Sequence, residues 1–233
     1  MRGHKSSHFF MKIFLDTADV DLIGQYYGTG LIDGVTTNPT LIKKSGRDPE
    51  QVYKELTIIG VDDISMEIVT DDYYEFVKEG RRLHEKFGDI TTIKVPCTPQ
   101  GLRACKILAD EGIRVNVTLI FSAAQAILAS KAGAAYVSPF VGRVDDNSFS
   151  GLDLIKQISD IYEKQSALYT PVSTQILSAS IRDVGSVSAS FEYGANIVTM
   201  PPSIFEKMYN HVLTDKGLDL FQKDWETVNA LKI

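Results

Sequence analysis

Eight short β-rich runs, each followed by a segment of helical character, constrain this chain more than any other feature of it. The runs are Lys12–Thr17, Gly34–Asn38, Ile64–Val69, Thr91–Pro96, Arg114–Phe121, Tyr136–Arg143, Val172–Ser180 and Ile197–Pro201. Between them apolar residues recur at three- and four-residue spacing, as in Leu102, Cys105, Leu108 and Ala109, which marks one face of a helix. Gly112, Gly133 and Gly194 stand just ahead of later runs, where glycine supplies the left-handed position that stops a helix. Eight strand–helix units predict a parallel sheet closed into a single-domain (β/α)8 barrel, the TIM barrel, with extra helices at the C-terminus. An open doubly wound sheet is the alternative, weakened because no G-x-G-x-x-G follows the first run.

Side chains along a strand alternate between two faces. An ordinary buried parallel strand is apolar on both. Here one face is apolar and the other polar. Ile64, Met66 and Ile68 oppose Ser65 and Glu67; Ile93 and Val95 oppose Thr92 and Lys94. Val115, Val117 and Leu119 oppose Asn116 and Thr118, Ile13 and Leu15 oppose Phe14 and Asp16, and Leu177 and Ala179 oppose Ser178 and Ser180. In a barrel the apolar face packs on the helices and the polar face lines the lumen. The polar groups come late in each run, at the C-terminal rim where barrel enzymes keep their sites.

The rim then gathers Asp16, Asn38, Glu67, Lys94, Asn116 and Thr118. Lys94 is the telling member, because lysine is almost never buried without a partner. Desolvation favours its neutral, nucleophilic form. An amine among carboxylates is equipped to form an imine with a ketone, the imine serving as electron sink for carbon–carbon cleavage. One carboxylate then moves protons; the other, with a hydroxyl, holds the water of imine formation and hydrolysis. The amides suit sugar hydroxyls. Arg143, after the sixth run, and Ser180 with Arg182, after the seventh, suit a phosphate. No histidine joins the set, and His84 and His211 fall in helical segments. The chemistry is expected to need neither a metal nor another cofactor.

The bulk composition agrees. A net charge of −6 argues against nucleic acid as a partner, and no apolar run reaches the roughly 20 residues of a membrane helix. Cys97 and Cys105 offer no disulfide framework or zinc spacing and are expected to be reduced thiols in a cytoplasmic protein. Met1–Phe10 has no signal-peptide core and reads as an N-terminal extension or expression remnant. The barrel is expected over 11–201 and a helical tail over 202–233. In the tail, Ser203 is placed to cap a helix running to about Val212, and Leu218, Phe221, Trp225 and Val228 share one face of a second, expected to cover its own barrel, the commoner arrangement, or a neighbouring subunit's.

The motifs resemble those of the transaldolase family. Phe14-Leu15-Asp16-Thr17, Gly34-Val35-Thr36-Thr37-Asn38-Pro39-Thr40, Ile93-Lys94-Val95-Pro96 and Asn116-Val117-Thr118-Leu119-Ile120-Phe121 carry the resemblance, with Ser138-Pro139-Phe140-Val141-Gly142-Arg143 and Ser178-Ala179-Ser180-Ile181-Arg182. It runs from about Met11 to Trp225. The compact length is similar to the small-transaldolase branch, which also contains fructose-6-phosphate aldolases.

The resemblance implies a Schiff base on Lys94, acid–base work by Asp16, and a catalytic water managed by Glu67 and Thr118. It implies dihydroxyacetone binding by Asn38 and Asn116, and phosphate binding by Arg143, Ser180 and Arg182. It implies transfer of a dihydroxyacetone unit between sugar phosphates in the non-oxidative pentose phosphate pathway, by a homo-oligomer, pentamer or decamer, whose terminal helix crosses to the adjacent subunit. Aldolase-type members carry Tyr where this chain has Phe140 and Gln where it has Glu67. The pair is read as transaldolase, because a phenyl ring cannot donate the proton that a phenol can.

Overall fold

The computed structural model describes residues 11–169 and 171–230. Met1–Phe10 lies outside them. Eight parallel strands close into one barrel in sequence order: β1 Lys12–Asp16, β2 Gly34–Thr36, β3 Ile64–Glu67, β4 Thr91–Pro96, β5 Arg114–Ile120, β6 Tyr136–Pro139, β7 Gln175–Ser178 and β8 Ile197–Met200. Helices lie between successive strands, and β1 pairs with β8 to complete the ring. The expected (β/α)8 architecture is the architecture found.

The chain punctuates itself with side-chain caps. Asp19, Asp48, Asp72, Thr98, Ser122, Ser150 and Asp183 each accept a hydrogen bond from a backbone N–H in the first turn of the helix that follows, satisfying donors that have no partner within the helix. The main apolar cluster fills the layer between strands and helices: Leu15, Val35, Met66, Ile93, Val95, Val115, Val117, Val137 and Val198 pack there with Ile23, Leu56, Phe76, Leu108, Ile155 and Ile158 from the helices. A second, smaller cluster of Phe14, Tyr136, Leu177, Ala179 and Ile197 lies inside the barrel.

Inside, Phe14 and Tyr136 meet edge to face at 6.3 Å. Gly34 makes room for Phe14, since a Cβ there would stand 2.7 Å from the ring. Under this plug is a buried carboxylate, Asp63. It accepts hydrogen bonds from Thr92 Oγ1 at 2.8 Å and Tyr136 OH at 2.6 Å, and pairs with Arg114 at 3.0 Å. Thr92, Arg114 and Tyr136 come from early positions of three consecutive strands, so the network ties that end of the barrel together. Burial raises the pKa of Asp63, opposed by Arg114, Tyr136 and Thr92.

The structure differs from the sequence expectation in several particulars. The sixth run turns helical at Val141–Asp145 instead of staying extended to Arg143, and the seventh starts at Gln175, not Val172. In β5 the register shifts between Val117 and Ile120, and Leu119 takes a φ of +59°. Strict alternation therefore fails there: Ile120 is fully buried, while Leu119 is partly exposed. In β7 the expected faces are reversed. Ser178 faces outward, its Oγ 2.9 Å from Ser190 of helix Val184–Glu192, and Leu177 points into the lumen. In the tail Ser203 is not a cap. Pro202, which has no N–H to satisfy, opens a short helix to Lys207, and Val212–Ala230 forms another with no buried residue.

Removing the Asp63 side chain strands two buried hydroxyls and a guanidinium. Asp63→Ala is expected to destabilise the fold by about 3–5 kcal/mol, measured by denaturant-induced unfolding.

Candidate functional site

Strand register assembles the site. Glu67 in β3 stands opposite Lys94 in β4, and Lys94 opposite Asn116 in β5. Three neighbouring strands thus present a carboxylate, an ammonium and an amide in one layer of the lumen. The Lys94 side chain is 6% exposed and its Nζ lies 2.8 Å from Glu67 Oε2. It also donates to the carbonyl of Thr37 at 3.1 Å. At that distance the Glu67 carboxylate is positioned to take a proton from the amine.

A cavity of about 110 Å³ opens beside this pair, lined by Asp16, Thr36, Asn38, Lys94, Thr118, Ser138, Phe140, Arg143, Leu177, Ala179, Ser180 and Thr199. At about 30 Å³ per water, it has room for a three-carbon fragment. Asp16 enters from the end of β1. Its Oδ1 accepts from Thr36 Oγ1 at 2.8 Å, and Thr36 Oγ1 lies 2.6 Å from Thr199 Oγ1. Burial pushes the Asp16 carboxyl above the ordinary range; Lys94 and the Thr36 hydroxyl pull against that shift.

The two amides are held differently. Asn38 caps helix Pro39–Ser45, its Oδ1 accepting from Leu41 N at 3.0 Å. That leaves its NH₂ group for the cavity. Asn116 is fully buried: its Oδ1 accepts from Ser138 Oγ at 2.6 Å, and its Nδ2 donates to Ser65 Oγ at 3.2 Å. Thr118 is 1% exposed, and its hydroxyl has no hydrogen-bond partner among the described residues. A buried hydroxyl in that state favours a polar ligand or water beside it.

At the mouth, Phe140 is flanked by Phe121, with ring centroids 5.8 Å apart, and the Arg143 guanidinium lies over its ring at 4.8 Å. Ser180 reaches the cavity because its backbone is left-handed, with φ +61°. In a regular strand it would share the outward face of Ser178. Arg182 does not line the cavity; its guanidinium is paired with Asp146.

Of the ten residues singled out in the sequence, seven line the cavity: Asp16, Asn38, Lys94, Thr118, Phe140, Arg143 and Ser180. Glu67 and Asn116 adjoin it through strand register, and Arg182 stands apart. Sequence reasoning placed Ser65 on the lumen face without giving it a role, and missed Thr36, Ser138 and Thr199. Parity could have found these three, since each alternates with outward-facing apolar residues on its strand.

Comparison with known proteins identifies the family. The family model described as transaldolase/fructose-6-phosphate aldolase matches residues 13–232. A probable transaldolase of Nitrosopumilus maritimus (strain SCM1) is 48% identical over 220 residues, covering 94% of this chain and 97% of the relative. A probable transaldolase of Paracoccus denitrificans (strain Pd 1222) is 50% identical over 215 residues, covering 92% and 96%. Among solved structures, the L230A mutant of flavocytochrome b2 with benzoylformate is similar, with a TM-score of 0.58 over 83% of this chain and 57% of that one. At 12% identity this likeness concerns the fold alone. The chain belongs to the transaldolase/fructose-6-phosphate aldolase family.

Proposed function

We propose that this protein is a transaldolase. It moves a dihydroxyacetone unit from fructose 6-phosphate or sedoheptulose 7-phosphate to erythrose 4-phosphate or glyceraldehyde 3-phosphate, through a Schiff base on Lys94. The observation that carries this reading is the Lys94–Glu67 pair, buried inside a barrel next to a second carboxylate, Asp16. The names borne by the 48–50% identical relatives support it.

The residues fit the steps. Lys94 passes a proton to Glu67, 2.8 Å away, and the free amine attacks the ketone carbon of the donor. The carbinolamine oxygen leaves as water, protonated from Glu67 and steadied by the Thr118 hydroxyl, which has no partner among the described residues. Asp16 takes the proton of the donor's C4 hydroxyl. The C3–C4 bond breaks, an aldose phosphate departs, and the electron pair moves into the enamine on Lys94. A second aldose phosphate reverses these events, with Asp16 returning its proton to the new hydroxyl, and water frees the amine. Asn38 and Asn116 hold hydroxyls of the three-carbon unit. Arg143, Ser180 and Arg182 take the phosphate.

Phe140 at the mouth presents no hydroxyl. The enamine therefore meets no side-chain acid there and waits for an aldehyde. A fructose-6-phosphate aldolase would instead release free dihydroxyacetone.

The exposed helix Val212–Ala230 shows Leu213, Leu218, Phe221, Trp225 and Val228 on its surface, Phe221 being 69% exposed. Such a face on a soluble protein calls for a cover. In this reading it packs on a neighbouring subunit of a pentamer or decamer, and a monomer by light scattering would refute that assembly. No helix among the described residues is long and apolar enough to cross a membrane, and in this reading the protein works in the cytoplasm, on the sugar phosphates proposed above.

Borohydride reduction in the presence of fructose 6-phosphate should add a three-carbon mass to Lys94, and Lys94→Met should abolish it. Turnover should require erythrose 4-phosphate; release of dihydroxyacetone at a comparable rate without it would make the protein an aldolase. Phe140→Tyr should increase that release, and an unchanged rate would remove Phe140 as the determinant. The pH profile tests Asp16. Activity needs its carboxylate and falls as pH drops through its pKa, which burial raises. Thr36→Val removes a hydrogen bond to the charged form, so the acidic limb of kcat/KM should move to higher pH.

A further inference from the structure

Arg182 is the one member of the phosphate trio turned away from the cavity, and the structure shows what holds it. Both terminal nitrogens of its guanidinium engage Asp146, one on each carboxylate oxygen. Asp146 ends helix Val141–Asp145, the same turn that carries Arg143. The two segments are locked at their backbones. Val141 N donates to Ala179 O at 3.0 Å and Gly142 N to Ser180 O at 3.1 Å. A Cβ on Gly142 would stand 2.4 Å from Ser180 O and 2.8 Å from Arg182 Nε. The base of Arg182 is therefore fixed, and its guanidinium head has two places to go: Asp146, or the mouth where Arg143 and Ser180 already stand.

The other charges nearby have other duties. Asp145 Oδ1 accepts from Gly151 N at 2.9 Å, closing the following loop. Arg143 lies over Phe140 and makes no ion pair among the described residues. Among the described residues Asp146 is thus the one carboxylate that forms an ion pair with a member of the phosphate trio.

We propose that Asp146 is an internal counter-anion for Arg182, which occupies the guanidinium in the empty enzyme and yields it to a substrate phosphate. This rests on the phosphate-binding role of Arg143, Ser180 and Arg182 given above. The two partners are about half exposed, so water screens the pair and it is easily exchanged for a stronger one. A phosphate dianion with three acceptor oxygens competes well against one carboxylate; a neutral sugar does not. Asp146 thereby makes release of Arg182 conditional on a phosphorylated ligand and lowers phosphate affinity by the strength of the pair. It acts through Arg182 and is a positioning residue.

The test is titration calorimetry of the full-length protein with inorganic phosphate, alongside steady-state kinetics. Asp146→Asn should lower the Kd for phosphate, and the KM for fructose 6-phosphate, by about two- to fivefold, with kcat unchanged. Asp146→Glu should stay near wild type. In an Arg182→Ala background, Asp146→Asn should have no effect on phosphate binding. A merely structural role would lower thermal stability and kcat without this dependence on Arg182. Unchanged or weaker phosphate binding in Asp146→Asn overturns the proposal, as does the same gain in the Arg182→Ala background. Borohydride trapping on wild-type Lys94 is read separately: an adduct without the Asp146 effect refutes this proposal and leaves the transaldolase reading standing, whereas no adduct refutes that reading.

Discussion

A lysine and a glutamate facing each other at 2.8 Å inside a barrel set the terms for the rest of this molecule. Two charges withdrawn from water cost several kcal/mol each, and their attraction offsets that only when geometry and surrounding hydrogen bonds are good. The register between β3 and β4 supplies the geometry, placing the two residues opposite one another. The Thr37 carbonyl accepts a hydrogen bond from the lysine. Parallel strands cannot be joined by tight turns, so each needs a crossover helix, and those helices seal the outer face. The barrel is thus the means by which an ammonium group remains dry, paired and within reach of a ligand.

The lumen divides into two regions with different demands. One end is closed by Phe14, Tyr136, Leu177 and Ile197 over the Asp63 network. This end needs only to be rigid, and its polar groups are satisfied within the protein. The other end carries polar groups whose bonding capacity is left partly open: the Asn38 amide hydrogens, the Thr118 hydroxyl and the Arg143 guanidinium. The same strands serve both ends, so the stiffness of the plug is passed directly to the site. Hydroxyls of Thr36, Thr199, Ser65 and Ser138 connect the two, fixing Asp16 and Asn116 from behind.

Much of this was legible in the sequence because it obeys a period. Alternation along β3, β4 and the first part of β5 gave Glu67, Lys94, Asn116 and Thr118 their shared face, and glycine stops ahead of later runs marked the units. What could not be read is whatever breaks the period. The shift in β5 exchanges the expected burial of Leu119 and Ile120. In β7 the run Ser178-Ala179-Ser180 alternates polar and small residues, and composition alone chose the wrong face. A serine between strand and helix was unexpected, but it pairs with the buried Ser190. The position of the Arg182 head depends on an aspartate far away in sequence and on the close approach of Gly142, neither of which has a local signal.

Ser180 brings a different consequence. Its φ of +61° puts it in a region that glycine enters freely and that costs other residues about 1–2 kcal/mol. A glycine would relax the turn, and the chain would be steadier for it. The serine at this point is instead a small standing debit against stability, borne by the barrel so that one hydroxyl faces the cavity. On this view the mouth of the site carries strained backbone, and a search for a more heat-resistant variant that scored stability alone would discard the hydroxyl that faces the cavity.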